Sequence, residues 1–181
     1  MEKSITILDK TFVPFLTEEE IQSAIKDMAQ KIYQKFSNET PLFVGVLNGV
    51  VMFFSDMLKH YPGDCEISFI QMKSYEGTSS TGQVKRLMDL SDDLVKNRHI
   101  IIMEDIIDTG NTLETLYEMM QSKPVASVSI ATLLFKPNAY KKDLKIDYIG
   151  LSIPDKFVVG YGLDYDGLGR NIPEIYQLKE F

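Results

Sequence analysis

The residues best equipped for chemistry stand together. Glu104, Asp105, Asp108, Thr109, Gly110, Asn111 and Thr112 directly follow the apolar run Ile100-Ile101-Ile102-Met103. That run reads as a strand buried on both faces. In a parallel sheet its carboxyl end lies beside the amino end of the next helix, where open α/β sheets bind ligands. Two adjacent acids there suit polyol hydroxyls and a metal ion. Thr109 to Thr112 add backbone N–H groups and two hydroxyls at a helix start. An anion gains about 0.3–1 kcal/mol from the helix dipole in such a place, and more from direct hydrogen bonds. The combination fits a phosphorylated sugar. Any one of these residues has a plain reading as a strand end or helix cap. An acid pair, a third acid three residues on and a Thr-Gly-x-Thr turn exceed what packing requires.

The stretch Glu104-Asp105-Ile106-Ile107-Asp108-Thr109-Gly110-Asn111-Thr112 resembles the phosphoribosyl diphosphate motif of purine phosphoribosyltransferases. Lys136, together with Asp155-Lys156-Phe157-Val158 and the run on to Asp164, resembles the hypoxanthine-guanine phosphoribosyltransferase family. The likeness extends from Val44 onward and is strongest over 104–112 and 155–164. It implies an α/β fold with a mostly parallel central sheet flanked by helices and a small hood lobe, and a transferase joining hypoxanthine or guanine to 5-phosphoribosyl 1-diphosphate with Mg²⁺. The resemblance also implies roles for particular residues. Asp108 is the general base, and Glu104, Asp105 and Asp108 to Thr112 hold the phosphoribosyl group. Asn48, Gly49 and Arg170 meet pyrophosphate, and Ser74 and Tyr75 belong to a lid. Lys136, Phe157, Val158 and Asp164 bind the purine, and Glu104, Asp105 and Asp164 serve the metal. A cis peptide before Asn48 is implied as well, and so is a homo-oligomer, dimer or tetramer, to which an exposed face of the 50–60 helix is suited. Asn48 and Asn111 each stand where some relatives carry lysine, so two cations near phosphate groups are missing.

Elementary chemistry supports one of these assignments independently. An ammonium group only donates, so Lys136 suits the 6-oxo group of hypoxanthine or guanine and opposes the 6-amino group of adenine. A xanthine-preferring transferase and a non-catalytic metabolite-sensing regulator on the same fold are the competing readings. The backbone around Val158 and Leu163 to Asp164 would decide how the purine 2-position is read.

Composition bounds the rest. With 181 residues, 44% of them hydrophobic, the chain is long enough for one domain with a sizeable core. We expect a core over about 38–154 and a hood built from the N-terminal segment and about 155–181. A net charge of −7 argues against a nucleic-acid footprint. It also repels a polyanion at long range, so local amides, cations and Mg²⁺ must supply the attraction. The single cysteine, Cys65, fits a reducing cytoplasm. No apolar run approaches membrane-spanning length, and no membrane partner is expected.

The elements that must position these residues emerge from patterning. Thr17-Glu18-Glu19-Glu20 has capping-box form, and Ile21, Ala24, Ile25, Met28, Ile32 and Phe36 continue at helical spacing. Pro41 to Leu47 reads as a buried strand, Asn48-Gly49 as a turn, and Val50 to His60 as a helix. Cys65 to Tyr75 is a strand that leads into the polar run 76–83, a lid by position. An alternating segment comes next, over 84–90. A helix over 113–123 and strands over 127–136 and 147–154 complete a layered α/β pattern. From Phe157 onward, short extended runs are broken by Gly160, Gly162, Gly167 and Gly169.

Overall fold

The computed structural model describes residues 4–73, 85–88 and 90–180. In chain order the elements are β1 (Ile5–Ile7), β2 (Lys10–Leu16), α1 (Glu18–Phe36), β3 (Leu42–Leu47), α2 (Val51–His60), β4 (Glu66–Lys73) and β5 (Lys85–Met88). They continue with α3 (Asp92–Val95), β6 (His99–Ile107), α4 (Asn111–Gln121), β7 (Ser127–Phe135), β8 (Tyr148–Ser152), β9 (Val158–Val159) and β10 (Ile175–Leu178). The principal sheet has the order β5-β4-β3-β6-β7-β8. Its five strands from β4 to β8 run parallel, and the edge strand β5 is antiparallel to β4. Parallel neighbours need crossovers, and α1, α2 and α4 supply flanking cover. The expected fold class is observed.

β6 lies inside this sheet. Register pairs Leu42 of β3 with Ile100, and Ile100 in turn with Val128 of β7. Ile100, Ile101, Ile102 and Met103 are all fully buried, with alternate side chains feeding two cores. One core holds the apolar faces of α1 and α2, including Ile21, Ile25, Ile32, Phe53 and Met57. The other packs α4 through Leu113, Leu116 and Met120. Each such side chain contributes roughly 1.5–3 kcal/mol when fully buried, so the strand carrying the acids is anchored on both sides.

A second, antiparallel sheet has the order β1-β2-β10-β9 and joins the two ends of the chain. Phe12 and Tyr176 belong to its small apolar cluster. α4 runs two residues earlier than patterning indicates at both ends, because Asn111 and Thr112 already adopt helical geometry after Gly110. The one-turn helix α3 and the strands β1 and β2 are not expected from patterning. Ser74, Tyr75 and the run 76–83 lie outside the described residues. No helix among the described residues is long and apolar enough to cross a membrane.

Candidate active site

The acid pair does not act as one unit. Strand pleating sends neighbours to opposite faces, so Glu104 and Asp105 line two different hollows at the carboxyl end of β6. Glu104 opens onto a hollow of about 170 Å³ bounded by Asp108 to Thr112. Asp105 lines a second hollow of about 300 Å³ with Lys136, Phe157, Val158, Leu163 and Asp164. Ile106 and Asp108 border both. Each acid of the pair thus has its own hollow.

Helix starts distinguish the site from the scaffold. α1 satisfies its own first turn through the reciprocal Thr17–Glu20 capping box, and Ser91 caps α3. α2, which starts after Asn48-Gly49, and α4, whose N-cap is Gly110 with φ 84°, have no side-chain cap bond. Each helix leaves four N–H groups without intrahelical partners. At α2 and α4, which follow the carboxyl ends of β3 and β6, no side chain takes these groups, although the Val51 N–H reaches the Asn48 carbonyl at 3.4 Å, and such helix starts suit anions.

Electrostatics at the end of β6 work against charge. Burial, reinforced by nearby Asp105, raises Glu104 well above the usual carboxylate range. Burial likewise pushes Asp105 up to about 6, against the pull of the Ile106 N–H and of Arg170, with Asp164 adding to the rise. The Ile106 N–H donates to Asp105 Oδ1 at 2.9 Å. The other carboxylate oxygen lies so near Gly49 that a β-carbon there would stand 1.7 Å from it. Gly162, with φ 97°, faces Gly49 from the other side, where an added β-carbon would stand 2.0 Å from the Gly49 carbonyl oxygen. Arg170 closes this group. One guanidinium nitrogen donates to the Gly162 carbonyl at 2.7 Å and another pairs with Asp164 Oδ1 at 2.7 Å. The Leu47–Asn48 peptide is cis, and Asn48 Oδ1 accepts from Gln71 at 3.1 Å.

The second hollow combines a cation, an acid and an aromatic face. Lys136, at the end of β7, is only 7% exposed, and its ammonium donates to Asp108 Oδ2 at 2.8 Å and to Asp155 Oδ1 at 3.2 Å. Phe157 is 45% exposed and rests its ring against Phe12 and Tyr165. Val158 opens β9 beside it and is buried. The structure thus gathers Asp105, Asp108, Lys136, Phe157, Val158 and Asp164 around one hollow, with Arg170 reaching it through Asp164.

Comparison with known proteins settles the lineage. A phosphoribosyl transferase domain model matches residues 15–166. The hypoxanthine-guanine phosphoribosyltransferase of Staphylococcus epidermidis is 46% identical over 165 residues, which cover 91% of this chain and 92% of that one. This chain belongs to the hypoxanthine-guanine phosphoribosyltransferase family. The crystal structure of a hypoxanthine phosphoribosyltransferase from Staphylococcus aureus superimposes with a TM-score of 0.85 at 43% identity, covering 92% of this chain and 90% of that one. A Bacillus anthracis hypoxanthine-guanine phosphoribosyltransferase, crystallised with HEPES in its active site, gives 0.83 at 35% identity, covering 92% and 96%.

One contact in this hollow lies outside the residues expected from sequence. Asp155 is the second partner of Lys136; it opens the 155–164 stretch of the resemblance, which assigns it no role. Leu163, whose backbone the family resemblance associates with the purine 2-position, also forms a wall of the second hollow.

Proposed function

We propose that this purine salvage transferase reads hypoxanthine or guanine with Lys136 and Asp108 and transfers to it the phosphoribosyl group of 5-phosphoribosyl 1-diphosphate, releasing pyrophosphate. The observation that carries this reading is the Lys136–Asp108 pair. A donor-only ammonium and an acceptor-only carboxylate, 2.8 Å apart on one wall, match the adjacent 6-oxo and N7–H groups of a 6-oxopurine. Without the base the two groups hold each other. On base entry Lys136 keeps Asp155, turns a donor to the oxo group, and frees Asp108 for the N7 proton.

As the base nitrogen N9 attacks the anomeric carbon, Asp108 accepts the N7 proton, a role worth about 10²–10⁴ in rate. Phe157 offers its exposed ring to the purine face, and the Val158 backbone reads the ring edge. The uncapped start of α4, Thr109 to Thr112, takes the 5′-phosphate, with Glu104 at the ribose hydroxyls. Asn48, Gly49 and Arg170 meet the departing pyrophosphate through amides of the loop and the guanidinium. Positive charge on the sugar then faces carboxylates while negative charge on the leaving group faces donors.

Mg²⁺ fits the donor set. Asp105 and Asp164 offer hard carboxylate oxygens on one hollow. Among the described residues no group of three or more potential ligands converges, as expected for an ion that takes one or two carboxylates and completes its shell with substrate oxygens and water. Asp105 and Asp164 would hold it, with Glu104 acting from the neighbouring hollow through the ribose hydroxyls, and it would neutralise charge on the leaving group. We read residues 38–154 as the core and the remainder as the hood, Ser74 and Tyr75 as lid residues, and the active form as a cytoplasmic homo-oligomer.

Pyrophosphate release, measured with hypoxanthine, guanine, xanthine and adenine in turn, tests the assignment. Turnover with the 6-oxopurines and none with adenine is expected. Binding of the phosphoribosyl donor without release for any base would overturn it in favour of a sensor.

A further inference from the structure

Tyr161 is 2% exposed and has φ 50°, a left-handed conformation that a bulky residue rarely adopts. Its side chain leaves the hood and descends between α1 and α2. There the hydroxyl donates to Asp56 Oδ2 at 2.5 Å. Gln22 Nε2 donates to the same oxygen at 2.6 Å and lies 3.3 Å from the Tyr161 hydroxyl. Lys59 occupies the other Asp56 oxygen at 2.7 Å, and His60 stands 3.2 Å from Gln22 Oε1. Asp56 thus accepts from α1, from α2 and from the hood. Burial alone would raise its carboxyl, but the bonds from Lys59, Tyr161 and Gln22 outweigh it and hold the group ionised. Burial and the bond to Asp56 raise the Tyr161 hydroxyl and keep it a donor.

The residues just after Tyr161 give this contact its meaning. Gly162 comes first, meeting the Gly49 carbonyl and exchanging bonds with Arg170, its N–H donating to the Arg170 carbonyl at 2.9 Å. Two residues beyond Gly162 stands Asp164, paired with Arg170. Asp56 lies on α2, the helix that begins at the Asn48-Gly49 loop. The hydroxyl therefore ties the hood turn to the same helix whose start forms the opposite wall.

We propose that Tyr161 is a positioning residue: through Asp56 and Gln22 it sets the spacing between the Gly162–Asp164 turn and the Gly49 loop, and so governs binding of the diphosphate end of the donor substrate. The inference rests on the transferase reading. It separates the hydroxyl from the ring, because the ring alone fills the core and the Tyr161 N–H already donates to the Ile172 carbonyl at 2.7 Å.

Tyr161→Phe tests it, with steady-state kinetics in both directions. Losing one net hydrogen bond corresponds to about a 3- to 10-fold change in an equilibrium constant. KM for phosphoribosyl diphosphate and for pyrophosphate should rise by that factor, with kcat and the purine KM within about twofold. Asp56→Asn, which keeps an acceptor but loses the charge, should move the same two constants less, and the double variant no more than Tyr161→Phe alone. Wild-type constants, or a proportional fall in activity with unchanged KM, would overturn the proposal, and Asp56→Asn decides the matter if Tyr161→Phe does not fold. A wild-type protein that releases no pyrophosphate with any purine would instead defeat the transferase reading, and this inference with it.

Discussion

The two hollows astride β6 are built in opposite ways. The Glu104 hollow comes from one unbroken run, 104–113, in which a strand end, a turn and a helix start succeed each other. The Asp105 hollow is assembled from β6, the end of β7 and the 157–164 segment, with the 48–49 loop and Arg170 at its margin. The first needs only local geometry. The second exists only once the hood is folded over the sheet. Substitutions near the first hollow should therefore act on one ligand group, whereas those near the second should act on base, metal or leaving group according to which element carries the residue.

The largest expected break in this contrast is at Asp108, which borders both hollows. Asp108→Asn should lower kcat by about 10²–10⁴ while leaving the dissociation constant for phosphoribosyl diphosphate within a few-fold, as single-turnover kinetics and titration calorimetry would report. Near-normal turnover would remove Asp108 as the base. Next is Lys136→Met, which deletes both carboxylate bonds and the donor to the oxo group. A lost charged hydrogen bond of about 1.5–3 kcal/mol corresponds to roughly a 10- to 150-fold fall in kcat/KM for hypoxanthine, with the donor's KM little changed. Equal losses on both substrates would show that Lys136 holds the whole hollow together instead.

Glu104→Gln sharpens the comparison through stability. Asp105 ordinarily titrates near 3.8 and is pushed up to about 6 in the fold, so between those values the folded state binds more protons than the unfolded one. Stability of the ligand-free protein should therefore fall as pH rises through about 4 to 6, with the Asp105 contribution complete above that. The raised Glu104 acts in the same direction. Replacing it with a neutral amide should raise the ligand-free melting temperature above pH 6 by about 2–5 °C, at the expense of activity. A lower melting temperature at a pH of about 7.5 would show that the carboxylate is not a burden on the fold. The smallest effect is expected at Asn111→Lys. It restores a cation at the α4 start and should lower the donor's KM about two- to fivefold with no change in purine preference.

Legibility in the sequence divides along the same line. The Thr17 capping box, the α1 stripe, the aliphatic β6 run and the 104–112 cluster are local signals, and each appears where expected. β1 and β2 escaped notice because strands of three and seven residues owe their form to pairing with each other and with β10, a contact between the two ends of the chain. By residue type and position alone, Lys136 is an ordinary strand-end lysine and Phe157 an ordinary apolar aromatic. Only family resemblance linked them to the site, since a separation of 28 positions between Lys136 and Asp108 conceals a direct bond. Asp155 and Tyr161 show the limit more sharply, because their partners lie on other elements and no spacing rule joins them.

Where Gly49 and Gly162 face each other, main chain meets main chain with no room for a methyl group. The space beside them that would hold the leaving group is thus bounded by peptide backbone, and its width answers to what braces that backbone from behind, the Tyr161–Asp56 bond, not to any side chain lining it. The purine wall is different, for Phe157, Val158 and Leu163 are side chains open to exchange. The rim of the base hollow is thus made of replaceable parts, and the rim of the exit is a frame of main chain.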